Sequence, residues 1–123
     1  MPVRIFKSKW FNDWSNSESL EDSVLKMAIQ EISAGLIDAE LGGNVVKKRV
    51  RNAGSGKRSG FRTLIAFKSG DKAFYIFGFA KNDKDNVTAK ELKAIKALAK
   101  QLLSMRSEEI NAAVRAGSLY EIK

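Results

Sequence analysis

The order of hydrophobic periods along this 123-residue chain predicts an α+β fold. Apolar residues recur at helical spacing before Leu36 and after Thr88, whereas from Asn44 to Lys81 the period is two. Short apolar stretches at both ends read as terminal strands. The composition, 44% hydrophobic and 29% charged, is that of a globular chain, and the length fits one domain over residues 1–123.

The elements follow in order. Val3 to Phe6 reads as an opening strand, with Arg4 alternating between apolar neighbours. Trp10, Phe11 and Trp14 come next, then a polar stretch from Ser15 to Ser19. Ser19 with Asp22 resembles a capping arrangement, and Leu25, Ala28, Ile29, Ile32 and Leu36 predict a helix from about Leu20 to Ala34, stopped by Gly35. From Asn44, Val46 and Val50 point one way with Lys48 between them, while Lys47, Arg49 and Arg51 point the other. The segment Asn52 to Gly60, with three glycines, reads as a hairpin connection to a strand from Phe61 to Lys68. Ser69-Gly70-Asp71 has turn chemistry and leads to a third strand, Ala73 to Lys81, so the three form an antiparallel meander. Thr88-Ala-Lys-Glu91 is a capping box ahead of Leu92, Ile95, Leu98, Ala99 and Leu102. A second short helix starts near Ser107 and ends at Gly117, and Leu119 to Ile122 makes a last strand.

Charge is distributed unevenly over this frame. Leu41 to Gly70 holds Lys47, Lys48, Arg49, Arg51, Lys57, Arg58, Arg62 and Lys68 and no Asp or Glu. Those eight account for the whole net charge of +8: the other 14 basic residues balance 14 acidic ones. A neutral body with one basic segment points to a surface that receives phosphates. If Arg51 faces Arg62 across the hairpin, Arg49 lies beside them, Phe79 falls roughly opposite Arg62, and Lys81 joins the same face at the edge. Like charges set opposite one another destabilise a sheet, so Lys47, Arg49, Arg51, Arg62 and Lys81 are read as functional. Lys68, Lys72 and the series Lys90, Lys93, Lys96 and Lys100 read as solvated faces. Trp10, Phe11 and Trp14 have the character of base-stacking residues but are assigned to sealing a strand against a helix.

Several chemistries are set aside. With no cysteine and no histidine the chain has neither disulfides nor the usual zinc ligands, and no Ser-His pair is available. Gly42-Gly43 and Gly54-Ser-Gly56 lack the Gly-Lys-Ser/Thr sequence of a phosphate loop. The longest apolar run, Ala73 to Ala80, is too short for a membrane span, and no signal-like segment opens the sequence, so a cytoplasmic protein without cofactor or membrane partner is expected. What remains is polyanion binding, or RNA cleavage through the substrate's own 2′-hydroxyl with Lys and Arg stabilising the phosphorane.

Val45-Val-Lys-Lys-Arg-Val50, Gly60-Phe-Arg-Thr63 and Phe77-Gly-Phe-Ala-Lys-Asn82 with Asn86, flanked by Arg4-Ile-Phe-Lys and the closing Gly117 to Ile122, resemble the RelE/ParE superfamily of bacterial type II toxins, nearest its HigB-like or phage Gp49-like branch. The resemblance implies two helical elements on an antiparallel sheet whose exposed face binds RNA. It also implies a metal-independent endoribonuclease acting on mRNA in the ribosomal A site, at the small-subunit rRNA, and a cognate antitoxin, expected to be a small helix-turn-helix protein. Carried across, Arg49, Arg51, Arg62 and Lys81 take the basic catalytic positions with Lys47. Lys47, Lys48, Arg49, Arg51, Lys57, Arg58, Phe79 and Asn82 line the RNA. The wider family often places a Tyr or His after the last meander strand, and Asn82 to Val87 has neither. A lysine crowded by cations is the substitute base, with Lys47 and Lys81 as candidates. Two rival readings stay open: a ParE-like inhibitor of DNA gyrase, and a non-catalytic nucleic-acid-binding module.

Overall fold

A computed structural model describes residues 3–51, 60–68, 71–81 and 86–123. The elements run β1 (Arg4–Ser8), α1 (Lys9–Ser17), α2 (Asp22–Ser33), β2 (Ala39–Glu40), β3 (Val45–Val50), β4 (Phe61–Phe67), β5 (Lys72–Ala80), α3 (Ala89–Leu103), α4 (Ser107–Ala116) and β6 (Leu119–Ile122). This is the α+β domain expected, with one six-stranded sheet in the order β2-β3-β4-β5-β1-β6. The meander β3-β4-β5 is antiparallel as read, and β1 pairs parallel with β5 and antiparallel with β6.

Helices lie on both faces. On one, α1 and α2 pack Phe11, Leu25 and Ile29 against Ile5, Val46, Val50, Phe61, Ile65 and Tyr75. On the other, α3 and α4 pack Ile95, Ala99, Leu102 and Ile110 against Phe6, Val45, Leu64, Ala66, Phe74 and Ile76. The exposed sheet face implied by the resemblance is therefore covered in part: the α3–α4 core reaches along the strands to Val45 and Leu64, and Arg49, Arg51, Arg62 and Lys81 lie beyond it.

The helix ends show which local signals acted. Thr88 and Glu91 form the predicted capping box, and α4 ends at Gly117 with φ +81. Gly35 likewise carries φ +91 beyond α2. Ser19 does not cap α2; it sits at φ 55 in the turn that closes α1, and the N-cap is Glu21 without a side-chain bond. Leu36 lies outside the helix and is exposed. The stretch around Trp10 and Trp14 is a helix that the sequence reading did not assign. Ser8 caps it, accepting from the Phe11 N–H at 3.1 Å, and its hydroxyl donates to the Ile76 carbonyl at 3.1 Å.

Two buried lysines fasten α2 to the sheet. Lys7 reaches Asp22 at 3.0 Å near the helix start, and Lys48 reaches Glu31 at 2.9 Å near its end. Tyr75 lies beneath the same helix, donating to the Leu25 carbonyl at 2.7 Å. Burial pushes its hydroxyl pKa well above the usual value, and the charge of Glu31 adds to that. At the far edge, Arg4 bonds both Glu121 oxygens at 3.0 Å. Those bonds hold the Glu121 carboxyl below the usual carboxylate range against the opposing effect of burial.

The ladder between β4 and β5 contains a bulge. Leu64 pairs with Phe77 and Ile65 with Tyr75, leaving Ile76 as the extra residue. Before it, Tyr75 faces α2 and Phe74 faces α3; after it, Phe77 joins the α3 side. Gly78 turns toward α1, where a Cβ would lie 2.3 Å from the Trp14 ring, so only glycine lets that indole rest on the strand.

Candidate nucleic-acid interface

Strand pairing brings the predicted cations together in successive rows. The first runs Lys47–Leu64–Phe77 and the second Arg49–Arg62–Phe79. Phe79 thus faces Arg62 as expected, a match that depends on the Ile76 bulge. The expected pairing of Arg51 with Arg62 is corrected by two residues: Arg49 is the partner of Arg62, and the shared face is kept because a two-residue shift preserves alternation. Val50 pairs with Phe61, so Arg51 follows beside Gly60; on the other side, the Lys81 N–H donates to the Gly60 carbonyl at 3.1 Å. A third row, Arg51–Gly60–Lys81, results.

Gly60 is the residue the charge-based reading passed over. It leaves the middle of the third row without a side chain, and the Arg62 guanidinium lies close by, its Nη1 3.9 Å from where a Cβ on Gly60 would stand. That Nη1 is buried and has no hydrogen-bond partner among the described residues. Nor do Lys47, Arg49, Arg51, Arg62 or Lys81 form an ion pair among the described residues. An unpaired buried donor on a charged group is costly, and a bound anion is the natural acceptor for it. Guanidinium groups suit phosphate because they donate two parallel bonds to it.

The remaining predicted contacts divide. Lys48 is withdrawn from the RNA face: alternation turns it toward α2, where it is 9% exposed, paired with Glu31 and donating to the Leu36 carbonyl at 2.8 Å. Phe79 is 4% exposed beside its cross-strand partner Arg62, so it presents no ring to a base. Lys57, Arg58 and Asn82 lie outside the described residues. The window free of acids along the chain is not free of them in space. Asp38, just before β2, accepts the Arg49 backbone N–H at 2.6 Å, capping the edge of β3 where the two-residue β2 has no residue to pair. Arg49 and Arg51 also border a cavity of about 330 Å³ on the α2 side, with Val24, Met27 and Glu31. β2 covers β3 only at Val46 and Lys47, so both arginines lie past its end at an open margin of the sheet and border both faces.

The aromatic residues also divide. Phe11 is buried and Trp14 half-buried, as a core role requires. Trp10 seals α1 against β5 by stacking on Phe77 with centroids 4.6 Å apart, but at 48% exposure it lies outside both cores, which corrects its reading as a core residue.

Among the described residues no helix is long and apolar enough to cross a membrane. No curated protein matches the chain. The sequence model of the family described as the RelE toxin of the RelE / RelB toxin-antitoxin system matches residues 3–122. With the meander, its cation rows and the expected α+β fold in place, the chain belongs to the RelE toxin family: it is a toxin of a toxin–antitoxin system, its partner an antitoxin, in a family whose toxins generally cleave mRNA.

Proposed function

We propose that this toxin is a metal-independent mRNA endoribonuclease, of the HigB-like kind, that acts on ribosome-bound mRNA through the substrate's 2′-hydroxyl and so stops translation. The observation that carries the reading is the Arg62 guanidinium, with a buried and unpaired Nη1 at the centre of three rows of cations. The 2′-oxygen attacks the adjacent phosphorus, the bond to the 5′-oxygen breaks, and the proton lost from one oxygen is returned to the other. Negative charge grows on the non-bridging oxygens at the phosphorane, where a guanidinium that already lacks a partner gains most. Arg49 and Arg51 would hold the flanking phosphates. Lys81, across Gly60 from Arg51, and Lys47, which pairs with Leu64, stand one row to either side of Arg62 and are the two candidate proton carriers.

The test is Arg62→Ala beside Arg62→Lys. Growth arrest on expression should disappear with alanine and be severely impaired with lysine, with mRNA cleavage down about 10²- to 10³-fold. Thermal stability should hold or rise, because the change removes an unpaired donor from like-charged surroundings. Primer extension on cellular mRNA reads the cleavage. A normally folded Arg62→Ala protein that cleaves within a few-fold of wild type overturns the site. Arrest with intact mRNA and an early DNA-damage response would favour gyrase inhibition.

A further inference from the structure

We infer that Trp10 is a stacking platform for an unpaired nucleobase of the strand whose phosphate sits at Arg62; the inference rests on the polyanion-binding reading above. A single exposed apolar side chain is ordinary and says little by itself. Trp10 is different because it is exposed and held. One helical turn on, Trp14 lies nearly parallel to it at 6.2 Å, and Phe77 stacks on it at 4.6 Å with planes 23° apart. A pre-ordered indole loses little rotamer freedom when a base arrives.

Its position supplies the class of ligand. Phe77 closes the row of Lys47 and Leu64, and Phe79, two residues on in the same strand, pairs with Arg62. Diagonal neighbours of this kind lie roughly 7–8 Å apart across a sheet. The indole therefore extends the cation rows on the β5 side, where α1 takes the place of a neighbouring strand: β1 pairs β5 only as far as Tyr75. Cations on one side and an aromatic ledge on the other form the pair of features by which proteins hold single strands, phosphates on the first and bases on the second. A partner with apolar groups alone would leave Arg62 and Arg49 unmet, whereas a single-stranded nucleic acid satisfies both surfaces at once.

Binding of a fluorescently labelled single-stranded RNA, with inorganic polyphosphate as a base-free polyanion, separates the contributions. Trp10→Ala should weaken RNA about 5- to 150-fold, the range for one stacked base. Trp10→Phe should stay within a few-fold of wild type, and neither should change polyphosphate binding or the salt slope for RNA. An abasic position walked along the RNA, measured with the wild-type protein, should give a loss of the same size at one site and no further loss in Trp10→Ala. Unchanged RNA affinity in Trp10→Ala, an equal loss toward polyphosphate, or an abasic walk without effect would each overturn the platform while leaving the cation site standing. A wild-type protein that binds neither RNA nor polyphosphate would overturn both.

Discussion

Lys48 and Arg49 are adjacent in the chain and have opposite duties. Alternation makes their opposite faces legible, but Glu31, the partner that keeps Lys48 from the RNA contacts, stands on α2, outside the strand whose pattern is read. The same blindness hid Asp38 beside Arg49: a stretch without acids along the chain says nothing about acids folded against it. Arg62 stood out from charge and spacing, yet its unpaired Nη1 and the vacant floor at Gly60 follow only from the pairing of three strands. The two neighbours should separate on substitution. Lys48→Ala leaves Glu31 without its partner, the Glu31 side chain being 46% exposed, and should cost about 1–2 kcal/mol by chemical denaturation. Its RNA salt dependence should stay as in wild type. Arg49→Ala should leave the denaturation midpoint in place and make the salt slope shallower by about 0.7. A stability loss in Arg49→Ala equal to that of Lys48→Ala would contradict the division.

Strands of the meander, the capping box of α3, the stop at Gly117 and the closing strand were all legible, because each is set by local chemistry or by a period. The first helix was not assigned, although Ser8 and the spacing of Trp10 and Trp14 carried its signal; an aromatic cluster beside many serines read as a seal and a loop. Two-residue β2 is too short to have a period. The bulge at Ile76 escapes pattern reading altogether, since a lone extra residue alters phase without altering composition. Gly78 shows how tightly the elements are fitted around that irregularity. Gly78→Ala would drive a methyl into Trp14 and should cost about 1–3 kcal/mol. With Trp14→Leu in the same chain the losses should fall short of additive, which thermal unfolding of the two single variants and the double variant would measure. Full additivity would mean that the indole moves aside.

For the molecule as a whole, charge is arranged so that Lys47, Arg49, Arg51 and Arg62 of the basic window share one sheet face with Lys81. About four phosphate contacts, from Arg49, Arg51, Arg62 and Lys81, predict a log–log salt slope near −3 for single-stranded RNA. Replacing Lys90 and Lys93 together, both exposed on α3, should leave that slope unchanged. An equal loss from the helix pair would mean that the body as a whole, rather than the strand rows, attracts the strand. The sheet order has another consequence, for synthesis. β1 lies between β5 and β6, so it gains no sheet partner until residues 72–75 have been made, and Arg4 meets its carboxylate only with residue 121. Contacts this distant along the chain form late. A nascent chain can build the local hairpins of the meander, but not the strand that α1 hangs from. The toxin fold therefore closes only after β6 has been made.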